Sequence, residues 1–245
     1  MARARIIGGN QVEGSRSVEE LIRAGRRRVE VLYVEDEFRQ GELAELASDA
    51  GIRVMVVGRD GITSRAGSRQ PQGVVAIAEP IPVSSLEEVA GAPGPLLVLD
   101  RIQDPNNLGA ILRSAAAAGV SGVVLPEHRA AGLSPTVAKI ASGALEYLSF
   151  AVVGGVPAAL SAIGRLGRWR VGLDAGGSHS LFGLELEADR VALVVGSEGS
   201  GLSNLVRLRC DVLAAIPMAG TVASLNASVA AGIALFALVE GRVRS

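Results

Sequence analysis

The fold is decided near the C-terminal end of the chain, by residues 213–239: Leu-Ala-Ala-Ile-Pro-Met-Ala-Gly-Thr-Val-Ala-Ser-Leu-Asn-Ala-Ser-Val-Ala-Ala-Gly-Ile-Ala-Leu-Phe-Ala-Leu-Val. The apolar run at 212–216, closed by a proline, predicts the end of a buried strand. A loop that contains Gly220 follows. Ser224 is a favourable N-cap residue, so we expect it to open an apolar helix that runs to about Val239.

The polar residues of this stretch admit two interpretations. Ser224, Asn226 and Ser228 are almost the only polar side chains of a helix that is otherwise Ala, Val, Leu, Ile and Phe, and such a helix is typical of a protein interior. They lie beside helix N-terminal N–H groups that need partners. They could therefore be simple capping residues, or one wall of a ligand site made of a strand end, a glycine loop and a helix N-terminus.

Composition favours an ordinary globular protein with a large core. The chain has 245 residues, 49% of them apolar, which suits one large or two small domains. A single cysteine excludes a disulfide framework and a thiolate metal cluster, and the two histidines lack ligand spacing, so we expect no metal. Neither a signal core nor a confident membrane span is present, which predicts a soluble, cytoplasmic protein.

The charge distribution gives weak evidence about partners. A net charge of −1 argues against a globally basic nucleic-acid binder. Positive charge is nevertheless clustered in the first 79 residues, and a charge run of this kind is more often a solvated face than a phosphate site. The clustered arginines that could contact a nucleic-acid phosphate are Arg26, Arg27, Arg28, Arg65 and Arg69.

The chain divides into three parts by pattern. Residues 1–79 predict a small α/β domain with a glycine- and arginine-containing loop over 58–73. Residues 80–95 contain four prolines and are interpreted as an interdomain linker. Residues 96–245 alternate short, continuously apolar strands with helices, which predicts a parallel sheet covered on both faces.

Two further polar stretches follow predicted strands of the third part. They are 100–113, Asp-Arg-Ile-Gln-Asp-Pro-Asn-Asn-Leu-Gly-Ala-Ile-Leu-Arg, and 196–203, Gly-Ser-Glu-Gly-Ser-Gly-Leu-Ser. Open parallel sheets bind ligands at the carboxyl ends of their strands. Neither stretch matches a dinucleotide-binding fingerprint or a phosphate-binding P-loop. For the glycines alone, a tight turn before a helix is the favoured interpretation.

Two charged residues stand out in these stretches. Glu198 is a lone carboxylate in a glycine loop. Arg113 lies in an otherwise apolar helix predicted over 107–118, for which Asn107 is the expected N-cap. A buried arginine is costly unless paired, so Glu198 or a bound phosphate is its expected partner. The alternative is that Arg113 lies on the solvent face of the helix.

The stretches 100–113, 196–203 and 213–239 resemble the three motifs of the SpoU/TrmH family of RNA ribose 2′-O-methyltransferases. Residues 1–79 resemble the substrate-binding domain of the same family. The resemblance implies an S-adenosylmethionine cofactor and an RNA substrate. It also implies an α/β fold of SPOUT type, in which a parallel-sheet catalytic domain ends in a C-terminal trefoil knot and follows a ribosomal-protein-like N-terminal α/β domain. Family members are homodimers, with the RNA site at or near the dimer interface.

The family roles carry over by motif position. The residues implied for the cofactor are Val195, Gly196, Ile216, Met218 and Leu225. The implied catalytic set is Asn107, Arg113, Glu198, Ser224 and Asn226.

The layout most resembles the branch that methylates a guanosine of large-subunit ribosomal RNA. The antibiotic-resistance branch, which methylates an adenosine of that RNA, has a similar layout, whereas the transfer-RNA branch usually lacks the N-terminal domain. A non-enzymatic RNA-binding protein of the same fold is the alternative from another class. A nucleotide-cofactor oxidoreductase lacks its required glycine fingerprint here.

Overall fold

The structure is a computed structural model that describes residues 7–38, 41–68, 70–222 and 224–243. The chain forms two compact units. The first contains the chain up to Pro82 together with Gly132–Tyr147. The second contains Val83–Ala131 and Leu148 onward.

Within the described residues, strands and helices alternate along most of the chain. The strands are β1 (Gln11–Glu13), β2 (Val29–Val34), β3 (Val54–Val56), β4 (Val74–Ala78), β5 (Val83–Ser84), β6 (Leu96–Asp100), β7 (Gly122–Pro126), β8 (Phe150–Val153), β9 (Trp169–Leu173), β10 (His179–Ser180), β11 (Val191–Gly196) and β12 (Val212–Ala215). The helices are α1 (Ser15–Ala24), α2 (Glu42–Asp49), α3 (Arg59–Thr63), α4 (Leu86–Gly91), α5 (Pro105–Ala117), α6 (Pro135–Ala141), α7 (Val156–Arg165), α8 (Asn204–Arg207) and α9 (Ala227–Val243). Short 3₁₀ turns occupy Asp36–Phe38, Ala144–Glu146, Leu181–Gly183 and Ala188–Arg190.

The first unit is a four-stranded mixed sheet with helices packed on it. The strand order is β1-β4-β2-β3, with β2 and β3 parallel and the other pairs antiparallel. Its apolar core includes Leu21, Leu32, Val74 and Ala76, all fully buried. Helix α6 belongs to this unit, and Ser17 Oγ donates a hydrogen bond to the carbonyl oxygen of Ala138 at 3.3 Å.

The second unit is an eight-stranded sheet in which every pairing is parallel. The strand order is β10-β12-β9-β11-β6-β7-β8-β5. The central strands β6 and β11 are buried at every position, as expected for parallel strands covered on both faces. Helices α4, α7 and α8 contribute to one core cluster, and α9 packs against α5, β9 and β11. The predicted parallel sheet is therefore confirmed, while the knot stays a prediction.

The proline-rich residues 80–95 are more ordered than an interdomain linker. They contain β5, which pairs with β8, and α4, whose first turn has a capping box between Ser85 and Glu88. Arg168 is buried and donates hydrogen bonds to the carbonyl oxygens of Ala90 at 2.5 Å and Gly94 at 2.8 Å. Burial lowers the pKa of Arg168. The second compact unit of the structure therefore begins at Val83, whereas the sequence pattern predicts that the catalytic domain begins at residue 96.

Two other features differ from the predicted organisation. The stretch 58–73, interpreted as a loop, contains the short helix α3. Residues 132–147, assigned by sequence to the catalytic domain, pack with the first unit. A local sequence pattern does not reveal such an association, because it depends on contacts between residues that are more than 100 positions apart.

Both predicted N-caps near the motifs are wrong. Helix α5 begins at Pro105, and the Asp104 side chain accepts a hydrogen bond from the backbone N–H of Asn106 at 3.0 Å. Proline at the first helical position explains why the helix starts two residues before Asn107. Helix α9 begins at Ala227, and Asn226, not Ser224, directly precedes it. Among the helices of the described residues, none combines the length and apolar character that a membrane crossing requires.

Candidate active site

The site lies in the second unit, where neighbouring parallel strands end. Strands β12, β9 and β11 are adjacent in the sheet, and the segments that follow them surround one cavity of about 300 Å³. This is the position at which open α/β sheets bind ligands. The lining includes all five residues predicted to hold a cofactor: Val195, Gly196, Ile216, Met218 and Leu225. The other lining residues include Leu173, Asp174, Ala175, Glu198, Arg207 and Ser224.

The glycine loop 196–201 folds back on itself at the edge of the cavity. Gly201 N–H donates to the carbonyl oxygen of Ser197 at 2.9 Å, and the hydroxyls of Ser197 and Ser200 are 2.7 Å apart. A Cβ atom on Gly196 would collide with the backbone of Gly201 and Leu202. Glycine at 196 is therefore required for this close approach of strand end and loop.

The end of strand β6 braces the same loop, a feature that motif reasoning did not assign. Asp100 is buried, and its carboxylate accepts a hydrogen bond from the Ser203 N–H at 2.8 Å. Arg101 donates to the carbonyl oxygen of Gly201 at 3.3 Å, and its Nε lies 3.5 Å from Asp100 Oδ1 without hydrogen-bond geometry. Arg101 has φ of +62°, a conformation that costs energy for a residue with a side chain.

Two residues of the predicted catalytic set are in direct contact. The side-chain amide of Asn107 donates a hydrogen bond to Glu198 Oε1, which joins the first turn of α5 to the glycine loop. Asn107 is buried and Glu198 is exposed. This hydrogen bond favours contact between the two residues, because the buried amide of Asn107 would lose a partner without it.

Arg113 lies apart from this pair on its helix. It is exposed, as in the solvent-face alternative. Its separation of six residues from Asn107 corresponds to about 240° of rotation around α5. The structure thus places its guanidinium at the surface of α5 rather than in an apolar interior.

The remaining two polar candidates, which begin the third motif, have different environments. Ser224 is exposed and lines the cavity. Asn226 is not among the lining residues, and its Oδ1 accepts hydrogen bonds from the Ser228 N–H at 2.8 Å and hydroxyl at 2.6 Å. Asn226 therefore caps α9 through its side chain, which was one of the two interpretations of this stretch.

A charged pair in the cavity wall was missed by the sequence reasoning. Arg207 of α8 lies 2.7 Å from Asp174 Oδ2, and both residues line the cavity. Asp174 directly follows β9, so the strand-end rule that singled out the three motifs could have found it. Arg207 has no comparable signal in the sequence.

The arginines that were predicted to contact RNA differ in their exposure to solvent. Arg26, Arg28 and Arg65 are exposed, and the Arg65 guanidinium lies 4.6 Å from the centre of the Tyr33 ring. Arg27 is buried, with its guanidinium 2.6 Å from Glu146 Oε1 and donating to two backbone carbonyls. It is a structural residue and not a surface contact. Arg69 lies outside the described residues.

The thiol of Cys210 lies outside the cavity lining. Within the described residues, no group of three His, Cys, Asp or Glu side chains could hold a metal ion. Burial raises the pKa of the Cys210 thiol to about 12, which leaves it protonated and unreactive near neutral pH. Beside it, hydrogen bonds from Arg170 lower the pKa of Asp211.

Comparison with known proteins defines the class to which this fold and site belong. The SpoU rRNA methylase family profile matches residues 94–236, and a profile for RNA 2′-O ribose methyltransferase substrate binding matches residues 11–83. The chain belongs to the SpoU rRNA methylase family.

Particular relatives cover nearly the whole chain. The 23S rRNA (guanosine-2′-O-)-methyltransferase RlmB of Ralstonia nicotianae is 38% identical, over 94% of this chain and 94% of its own length. The protein of the same name from Pseudomonas aeruginosa is 40% identical, over 95% and 96%. The crystal structure of the SpoU methyltransferase AviRb from Streptomyces viridochromogenes, in complex with AdoMet, superposes with a TM-score of 0.81 at 27% identity, covering 96% of this chain and 91% of that one.

Proposed function

We propose that this protein is an S-adenosylmethionine-dependent RNA methyltransferase that modifies a ribose 2′-hydroxyl, its substrate being a guanosine of large-subunit ribosomal RNA. The observation that carries the proposal is the cavity at the ends of β9, β11 and β12, which is lined by all five residues expected to hold the cofactor. The names of the curated relatives supply the choice of guanosine and of 23S RNA.

The lining of the cavity fits an adenosine-containing cofactor. Val195, Ile216, Leu225 and Met218 offer apolar surface, and Gly196 lets the glycine loop pack closely against the end of β11 at the cavity. A volume of about 300 Å³ is at the lower end of the range for small-molecule sites. AviRb, a structural neighbour, was solved with AdoMet bound.

When bound, the cofactor supplies an electrophilic methyl group on a positively charged sulfur. The protein must hold the ribose oxygen in line with that methyl group, and positioning of this kind can lower a barrier by roughly 7–11 kcal/mol. In our proposal the Asn107–Glu198 hydrogen bond fixes the loop edge beside the reacting groups, and Ser224 contributes a hydroxyl from the opposite segment. Asn226 acts indirectly, by holding the start of α9.

We assign Arg113 an electrostatic role. A guanidinium is not deprotonated in proteins, so it is a poor general base. Its exposed position on α5, outside the cavity lining, suits contact with the phosphate next to the target ribose. Arg26, Arg28 and Arg65 are the proposed RNA contacts of the first unit among the described residues.

The oligomeric state, the knot, the cellular location and the domain boundaries also belong to the proposal. We propose a homodimer with the RNA site at or near its interface, and a C-terminal trefoil knot, as the family resemblance implies. An enzyme of ribosomal RNA works where ribosomes are assembled, so a cytoplasmic location belongs to the same proposal. Residues 1–79 and 96–245 are the proposed substrate and catalytic domains.

Mapping of 2′-O-methylation in ribosomal RNA, from cells with and without the protein, tests the substrate. One guanosine of the large-subunit RNA should lose its methyl group, and the Arg113→Ala variant should fail to restore it while still binding S-adenosylmethionine. Unchanged ribosomal RNA with a changed transfer RNA would overturn the substrate assignment. Calorimetry without any cofactor binding would favour the non-enzymatic RNA-binding alternative.

A further inference from the structure

A charged pair occupies one wall of the cofactor cavity. Asp174 and Arg207 form an ion pair at 2.7 Å, and Asp174 Oδ1 also accepts a hydrogen bond from the Gly176 N–H at 2.9 Å. The backbone N–H of Asp174 donates to the carbonyl oxygen of Ala214 at 2.9 Å, which fixes the residue against the end of the neighbouring strand β12. The Asp174 side chain is 9% exposed and the Arg207 side chain 41%. The pair is therefore anchored on the carboxylate side and open on the guanidinium side.

The pair differs from the rest of the lining. Among the described residues that line the cavity, Arg207 supplies the only positive charge, and Asp174 and Glu198 supply the negative charges. Glu198 is already bonded to the amide of Asn107. An arginine has five N–H donors, so Arg207 can hold Asp174 and still bind a second carboxylate. Asp174 likewise has acceptor capacity beyond its two partners.

We propose that Asp174 and Arg207 together bind the amino-acid group of S-adenosylmethionine, with Asp174 facing the α-ammonium and Arg207 facing the α-carboxylate. This inference rests on the proposed function. Two opposite charges held side by side are complementary to a zwitterion. The hydroxyls of a ribose diol are uncharged, and a sulfonium is complementary only to a negative charge, so neither ligand group requires a positive charge in the wall.

Four ligands separate these possibilities by calorimetry on the full-length protein. S-Adenosylmethionine and S-adenosylhomocysteine both carry the amino-acid group, but only the first is a sulfonium. 5′-Methylthioadenosine keeps the adenosine and lacks the amino acid. Decarboxylated S-adenosylmethionine keeps the ammonium and lacks the carboxylate.

The Asp174→Asn variant should bind S-adenosylmethionine and S-adenosylhomocysteine about tenfold to a hundredfold more weakly, because it loses a charge-assisted hydrogen bond. It should bind 5′-methylthioadenosine within about twofold of the wild type. Arg207→Gln should weaken the same two ligands and leave decarboxylated S-adenosylmethionine nearly unaffected. Arg207→Lys, which keeps the charge, should give an intermediate loss.

Asp211→Asn provides a matched control. It weakens another arginine–aspartate pair, Arg170–Asp211, which lies near the starts of β9 and β12 and outside the cavity lining. It should not alter the affinity for any of the four ligands. Thermal melts of each variant show whether it is folded.

The results that overturn the inference are specific. Equal losses for 5′-methylthioadenosine and S-adenosylhomocysteine would show that the pair contacts the ribose or only shapes the wall. A loss of affinity confined to S-adenosylmethionine and its decarboxylated form would show that Asp174 interacts with the sulfonium. Wild-type protein that binds none of the four ligands would overturn the proposed function itself, and so the two failures are distinguishable.

Discussion

Replacement of Gly196 by alanine tests the geometry of the cavity most directly. The new Cβ would fall well inside the van der Waals distance of three backbone atoms, the carbonyl carbon and oxygen of Gly201 and the nitrogen of Leu202. Because these are backbone atoms, relief requires the loop to move by about 1 Å. Such overpacking typically costs about 1–3 kcal/mol. For a chain of this size, that corresponds to a fall in melting temperature of roughly 2–12 °C.

The effect on binding should exceed the effect on stability. A displacement of about 1 Å in a positioning loop can cost about a hundredfold in function. We therefore expect Gly196→Ala to stay folded in a thermal melt and to lose most of its affinity for S-adenosylhomocysteine in calorimetry. Gly154→Ala is the control, because a Cβ at that exposed position meets nothing within 4 Å. Wild-type affinity in Gly196→Ala would refute the close packing of loop and strand end.

Three further substitutions or reactions test other features. Arg27→Ala should lower the free energy of unfolding by about 3–5 kcal/mol in urea denaturation, since it leaves the buried Glu146 carboxylate without its cation; an unchanged midpoint would contradict a structural role. Asp104→Ala should cost about 1 kcal/mol through loss of the α5 cap, whereas Asp104→Asn should retain most of it. Cys210 should resist alkylation in the native protein at pH 8 and react after denaturation, because its pKa of about 12 leaves almost no thiolate; equally rapid native labelling would argue against its burial.

The sheet was predictable because its signal is local. Strands such as Leu96–Asp100 and Val191–Gly196 are short and apolar at nearly every position, and the structure buries them completely. The strand-end rule selected residues 196–203 and the stretch that begins at Leu213, and residues from both line one cavity, whereas residues 100–113 do not line it. Neither inference required knowledge of strand order.

Arg27 and residues 132–147 make contacts with residues that are distant in sequence. Arg27 belongs to a run of three arginines that is typical of a surface, yet its partner Glu146 lies 119 residues away and draws it into the interior. Residues 132–147, which the sequence pattern assigns to the catalytic domain, likewise pack with the first unit through contacts that are distant in sequence. A pattern within a short window reports which residues can be buried, but not which distant residue neutralises them.

The opening of the third motif shows a further limit, which is chemical. A helix N-terminus offers unpaired N–H groups, and the same side-chain oxygens satisfy them whether the purpose is capping or ligand binding. The sequence alone therefore does not tell which of Ser224 and Asn226 caps the helix. The structure does, because the start of α9 at Ala227 places Asn226 in the capping position and leaves Ser224 among the residues that line the cavity. A shift of the capping position by two residues, from 224 to 226, thus decides which of the two residues lines the cavity.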